Sequence, residues 1–119
     1  MDPSELAYSS AADLAGLIRS RAVSPVEVMR ASLARIERSQ PVLNAFITIA
    51  AEAAMEHARA AEAAVMQRAS LGPLHGVPVA VKDLIPTADL RTTWGSMIFK
   101  DHIPDQGPIL AGRSRFRDS

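Results

Sequence analysis

The chain has 119 residues, enough for one domain and too few for two, and a compact domain of this size hides about two-thirds of its unfolded surface. With 48% hydrophobic residues, 22% charged residues and a formal net charge of zero, it falls in the soluble globular class, outside the disordered one, and no nucleic-acid or membrane field follows. It has no cysteine, which excludes disulfides, thiolate metal sites and a cysteine nucleophile.

The N-terminus, MDPSELAYSS, lacks the basic start and apolar core of a signal peptide, and no uncharged apolar run is long enough to span a bilayer, so a cytoplasmic location is expected. Ser10 followed by Asp13 is an N-cap signature, and Leu14, Leu17 and Ile18 then mark one apolar face, predicting a helix over 10–20. Ser24, Pro25 and Glu27 form a capping box with proline at the first helical position. Met29, Leu33 and Ile36 follow as the apolar stripe of that second helix, Arg30, Arg35, Glu37 and Arg38 take the wet side, and Pro41 is expected to stop it.

Leu43–Ile49, with Phe46, Ile47, Thr48 and Ile49, suits a short strand. The alanine-rich stretch 50–69, carrying Glu52, Glu56, Arg59, Glu62 and Arg68 at helical spacings, predicts a helix wetted on one side. Leu71-Gly72-Pro73-Leu74-His75-Gly76 is a turn-rich loop, and 77–83 then alternates, with three valines on one face and Pro78, Ala80 and Lys82 on the other. That reads as a strand whose early proline puts it at an edge or a strand start. Beyond Leu84 the chain is loop-like, and Arg113, Arg115 and Arg117 close it as a solvated tail.

Lys82 is one of only two lysines, the other being Lys100, and it ends the valine-rich strand on its small-residue face. An amine drawn out of water loses its charge more easily and can take a proton from a hydroxyl nucleophile, and a Ser–Lys pair is a known variant of the serine triad. A lysine at a strand end also simply reaches for solvent, and spacing alone leaves both readings open.

The stretch Gly72-Pro73-Leu74-His75-Gly76-Val77-Pro78-Val79-Ala80-Val81-Lys82-Asp83 resembles the segment around the catalytic lysine of amidase-signature enzymes. Thr92-Thr93-Trp94-Gly95-Ser96 resembles the TTxGS segment that follows it, and Ser24-Pro25-Val26-Glu27 and Leu43-Asn44-Ala45-Phe46 are similar to that family's upstream elements. The resemblance covers about 10–105. It implies an α/β class, here an incomplete amidase-signature α/β/α domain with N-terminal helices followed by the first strands of the sheet. It also implies a Ser–cis-Ser–Lys triad hydrolysing amides through an acyl-enzyme, with Lys82 as the base acting through a bridging serine.

Both serines and the glycine-rich oxyanion loop lie in a GGSSGG-like segment that this sequence does not contain, so the 119 residues are expected to be inactive alone. Pro86 and Asp89 depart from the family pattern, which more usually shows an aspartate and a glycine there. Residues 106–119 depart further, and a truncation or shifted reading frame is expected. The whole reads as a single partial domain: 10–69 mostly helical, 71–100 strand and loop with the lysine motif, 106–119 a divergent tail.

Elsewhere the residues favour structural roles. His57, His75 and His102 have no metal-ligand spacing, so no metal is expected, and the family needs no organic cofactor. Asp83 suits a turn or cap, Ser96 a structural hydrogen bond, and Trp94 either lines a cleft or packs. The expected partner is a small-molecule amide, without nucleic acid or membrane, while a homo-oligomer and amidotransferase partner subunits stay open. Two rivals stand beside the enzyme: a helical interaction module over 10–69, and a non-functional gene fragment whose strand 77–83 exposes an apolar edge.

Overall fold

Asp2-Pro3-Ser4-Glu5 repeats the cap, proline, spacer, acid pattern of Ser24-Pro25-Val26-Glu27, and each opens a helix. The structure, a computed structural model, describes residues 2–82 and 91–103. The first helix, α1 (Pro3–Tyr8), was not among those expected, although its start carries the signal: the Asp2 N–H donates to the Glu5 carboxylate at 3.4 Å. Its Leu6 is buried, and the Arg35 guanidinium lies 4.5 Å from the centre of the Tyr8 ring and also donates to its hydroxyl.

Helix α2 (Ala11–Arg19) starts on Ser10, whose hydroxyl accepts from the Asp13 N–H at 3.1 Å. It ends in a Schellman turn: Ala22 N–H donates to the Leu17 carbonyl (2.9 Å) and Arg21 N–H to the Ile18 carbonyl (3.0 Å), with Arg21 left-handed at φ 65. Helix α3 runs Pro25–Leu43, with Ser24 accepting from the Glu27 N–H at 3.0 Å. The expected stop at Pro41 is corrected: Pro41 lies inside the helix. A proline there forfeits one hydrogen bond in a last turn that is about to close, and the helix terminates instead at Asn44, left-handed at φ 47, whose N–H reaches the Gln40 carbonyl at 2.8 Å.

Helix α4 (Ala51–Met66) closes as α2 does, through Ala69 N–H to Ala64 and Arg68 N–H to Val65, both 3.1 Å, with Arg68 at φ 56. The helix expected over 50–69 is therefore present and stops three residues early, where this turn begins.

The strand expected over 43–49 is absent. Leu43 is helical, and the Gln40 amide occupies both backbone groups of Phe46, donating to its carbonyl at 2.6 Å and accepting from its N–H at 3.1 Å. A ladder would need those same groups.

The core gathers Leu6, Leu14, Ile18, Val23, Val28, Ala31 and Val65, with Leu17, Leu71 and Val77 packed against it. Ile18 and Val28 are each 1% exposed, and burying a side chain of that size contributes about 1.5–3 kcal/mol. On α3 the inward face is Val28 and Ala31, while the expected stripe of Met29, Leu33 and Ile36 is only half-buried. Helix α4 packs along α3 and buries Ala58, Ala61 and Val65, small side chains that suit close helix approach.

No strand occurs among the described residues. The strand expected over 77–83 does not form through Lys82, where the chain has no regular secondary structure, and Asp83 lies outside the described residues. Pro78 has no N–H to offer, and Val79 and Val81 are 66% and 43% exposed, as an edge without a neighbouring strand would be. Among the described residues no helix is long and apolar enough to cross a membrane.

Candidate active site around Lys82

The turn 72–76 is gripped by three helices before the chain reaches Lys82. Arg19, in the last turn of α2, donates from Nη2 to the Gly72 carbonyl at 3.1 Å. His75 is 3% exposed, and its Nε2 lies 2.8 Å from the carbonyl of Ala61 on α4; a carbonyl only accepts, so Nε2 carries the proton. Gly76, at φ +79, lies against Pro25 of α3 and Ile18 of α2, and a Cβ on it would come within 2.8 Å of the proline Cγ and 3.2 Å of the isoleucine Cδ1. Only glycine satisfies both the dihedral and the space. Within the turn, the His75 N–H donates to Gly72 (3.3 Å) and the Val77 N–H to Leu74 (3.1 Å).

After this anchor residues 77–82 carry no regular secondary structure, and Lys82 itself is exposed. The described residues do not shield it from water. The loop with Pro86 and Asp89, and the segment 106–119, lie outside the described residues.

The second motif folds on itself. Thr92 and Thr93 are 1% and 5% exposed, and the Thr92 N–H donates to the His102 carbonyl at 2.9 Å. Ser96 N–H donates to the Thr93 carbonyl (2.9 Å), and the Ser96 hydroxyl accepts from Ile98 N–H (3.3 Å), capping a 3₁₀ turn over Met97–Phe99. Ser96 thus does structural work, as expected. Trp94 takes a left-handed φ of 49 and packs, its ring 4.9 Å from Phe99 edge-on and 5.1 Å from His102 in a stack.

Arg91, which sequence reasoning did not single out, joins this motif to the stretch after α3. Its guanidinium donates to the carbonyls of Ile47 (2.8 Å) and Lys100 (2.8 Å) and to the Thr48 hydroxyl (3.2 Å). That fork of donors is arginine's particular capacity, and nothing in the local pattern around Arg91 announces its distant acceptors. His57 is exposed, His102 is exposed on the Trp94 stack, and among the described residues no group of three His, Asp or Glu side chains could hold a metal ion.

The Amidase family profile matches residues 27–113, well over half of the chain and inclusive of both motifs; the chain belongs to the amidase-signature family. The match runs past Gln106, to residue 113, into the segment expected to diverge.

Among its relatives, it is 43% identical over 112 residues to the A subunit of the glutamyl-tRNA(Gln) amidotransferase of Acidothermus cellulolyticus, covering 94% of this chain and 22% of that protein. It is 36% identical over 115 residues to the putative amidase AmiD of Mycobacterium bovis, covering 97% of this chain and 24% of that one. A bacterial aryl acylamidase of the same family superposes with a TM-score of 0.85 at 31% identity, over 94% of this chain and 24% of its own. Fatty acid amide hydrolase shares the fold, with a TM-score of 0.88 at 22% identity, over 97% of this chain and 20% of its own. The chain spans less than a quarter of the length of these relatives. The solved relatives are α/β enzymes, and what this chain shares with them in its described residues is helical.

Proposed function

We propose that the chain contributes Lys82 to an amide-hydrolysing site of the Ser–cis-Ser–Lys type, as the base that takes the nucleophile's proton through a bridging serine. The observation that carries this reading is the family match over 27–113, which contains Lys82 in Gly76-Val77-Pro78-Val79-Ala80-Val81-Lys82 together with Thr92–Ser96. The grip of three helices on the turn ahead of the lysine supports it, because a catalytic amine must be delivered to a set position.

These 119 residues hold no GGSSGG-like segment, so alone they supply a base without a nucleophile and are expected not to turn over amides. The substrate class is a small-molecule carboxamide. The names of the relatives support two settings, a free amidase or one component of an amidotransferase with partner subunits.

The rival reading of 10–69 as a self-standing helical module fits the packing less well. Leu71 and Val77 complete its core, and His75 and Gly76 fill the seam between its helices.

The test is a chimera in which this chain replaces the matching quarter of the aryl acylamidase. A folded chimera is expected to hydrolyse an anilide, with kcat about 10²–10⁴-fold lower once Lys82→Ala is introduced. Equal turnover by the two chimeras would remove Lys82 from the mechanism, and lysine-dependent turnover by the 119 residues alone would overturn the claim that they lack a nucleophile.

A further inference from the structure

Helices α2 and α4 end side by side in the same Schellman turn, and in both turns the left-handed position is held by arginine, Arg21 at φ 65 and Arg68 at φ 56. Glycine is the usual residue there, because an L side chain meets its own backbone in that conformation. Both arginines line a single cleft of ≈ 290 Å³, along with Arg19, and its apolar wall is Val65 and Leu71.

Neither Arg21 nor Arg68 has a side-chain hydrogen bond or ion pair within the described residues, and Arg19 uses only its contact with the Gly72 carbonyl. Attraction to the negative end of a helix explains a basic residue in a last turn, as Arg19 is, but it does not call for one at the left-handed position. The turn itself asks only for a left-handed residue, as Asn44 supplies at the end of α3, so the choice of arginine at both Arg21 and Arg68 is what the turn does not explain.

We propose that this cleft binds a phosphomonoester, its dianionic phosphate held among Arg19, Arg21 and Arg68 and its organic group laid on Val65 and Leu71. Planar guanidinium forks match phosphate oxygens two at a time, and three of them outweigh the partial negative charges of the two helix ends. The apolar wall separates this ligand from free inorganic phosphate, which has nothing to place there. The inference stands whether or not Lys82 is catalytic.

The variants that test it are Arg21→Gly and Arg68→Gly, since each removes a guanidinium while relieving its backbone. Phenyl phosphate, inorganic phosphate and benzoate would each be titrated into the full chain at constant ionic strength, following the methyl signals of Val65 and Leu71 by NMR and the midpoint of thermal unfolding. Expected is saturable binding of phenyl phosphate, weaker binding of inorganic phosphate and none of benzoate. Each glycine variant is expected to unfold at a higher temperature than the parent without ligand, yet bind phenyl phosphate about tenfold more weakly. Arg21→Lys keeps the charge and the backbone but loses the fork, and should weaken binding too. No saturable shift with phenyl phosphate, an equal response to benzoate, or full binding by both glycine variants would overturn the proposal.

Discussion

Helices α2, α3 and α4 close on the 72–76 turn mainly through buried groups, the exposed Arg19 bond to Gly72 apart, whereas the stretch after α3 meets residues 91–103 through hydrogen bonds at the surface. In the first region Ile18 and Val28 are 1% exposed, His75 is 3% exposed, and Gly76 sits where a methyl group would collide with its neighbours. In the second, three donors of Arg91 hold two segments together while Ile47, Met97 and Ile98 stay 50%, 78% and 87% exposed. Apolar burial and close packing make the first region cooperative, so damage there should be felt throughout. Polar bonds within reach of water contribute less and act locally, so damage in the second should stay in the second.

The largest test of that contrast is Ile18→Ala. Its side chain contacts both the core and the turn, and truncation should cost about 3–4 kcal/mol, read as a lower denaturant midpoint with an unchanged slope. A loss under about 1 kcal/mol would mean that the helical body is not the cooperative unit. Gly76→Ala should follow at about 2–3 kcal/mol, combining a left-handed alanine with a Cβ 2.8 Å from Pro25. Because the turn leads to Lys82, the same substitution in the chimera should lower turnover beyond what stability explains. Unchanged turnover would show that the lysine does not depend on the anchor.

Arg91→Ala should cost about 1–2 kcal/mol and do so locally. Hydrogen exchange at Phe46 and at Thr92, the one amide bonded to Gln40 and the other to the His102 carbonyl, should quicken, while amides of α2 and α3 keep their protection. Faster exchange throughout the helices would erase the contrast between the regions.

The sequence made the helices legible for a physical reason: caps, prolines and apolar periods are local, and Ser10, Ser24 and Pro25 act on neighbours within four residues. Helix α1 was equally legible, since Asp2, Pro3 and Glu5 carry the same signature. The two strands failed because a strand is a statement about a partner. β-branched composition at 46–49 was outweighed by Gln40 taking both Phe46 backbone groups, and the alternating valines at 77–81 have no neighbouring strand among the described residues.

Lys82 came from a motif, and the described residues give its place without its chemistry. Arg91, the seat of Gly76 between Ile18 and Pro25, and the paired arginines Arg21 and Arg68 all depend on residues far away in the chain, where no local pattern points.

The smallest effect expected is that of Ser96→Ala, and it separates two readings of a serine that follows the lysine motif in the chain. As the cap of the 3₁₀ turn it accepts from the Ile98 N–H at 3.3 Å, a long bond at the surface, so its loss should cost only about 0.5–1 kcal/mol. A nucleophile behaves otherwise: its removal leaves stability alone and abolishes turnover. In the acylamidase chimera, Ser96→Ala is therefore expected to loosen Met97–Phe99 slightly and leave kcat within about twofold, since the hydroxyl is already committed to the backbone. A collapse of kcat without loss of stability would place Ser96 in the chemistry, and with it the whole 91–103 segment, whose aromatic trio of Trp94, Phe99 and His102 would then be the wall of the substrate site rather than the packing of a surface turn.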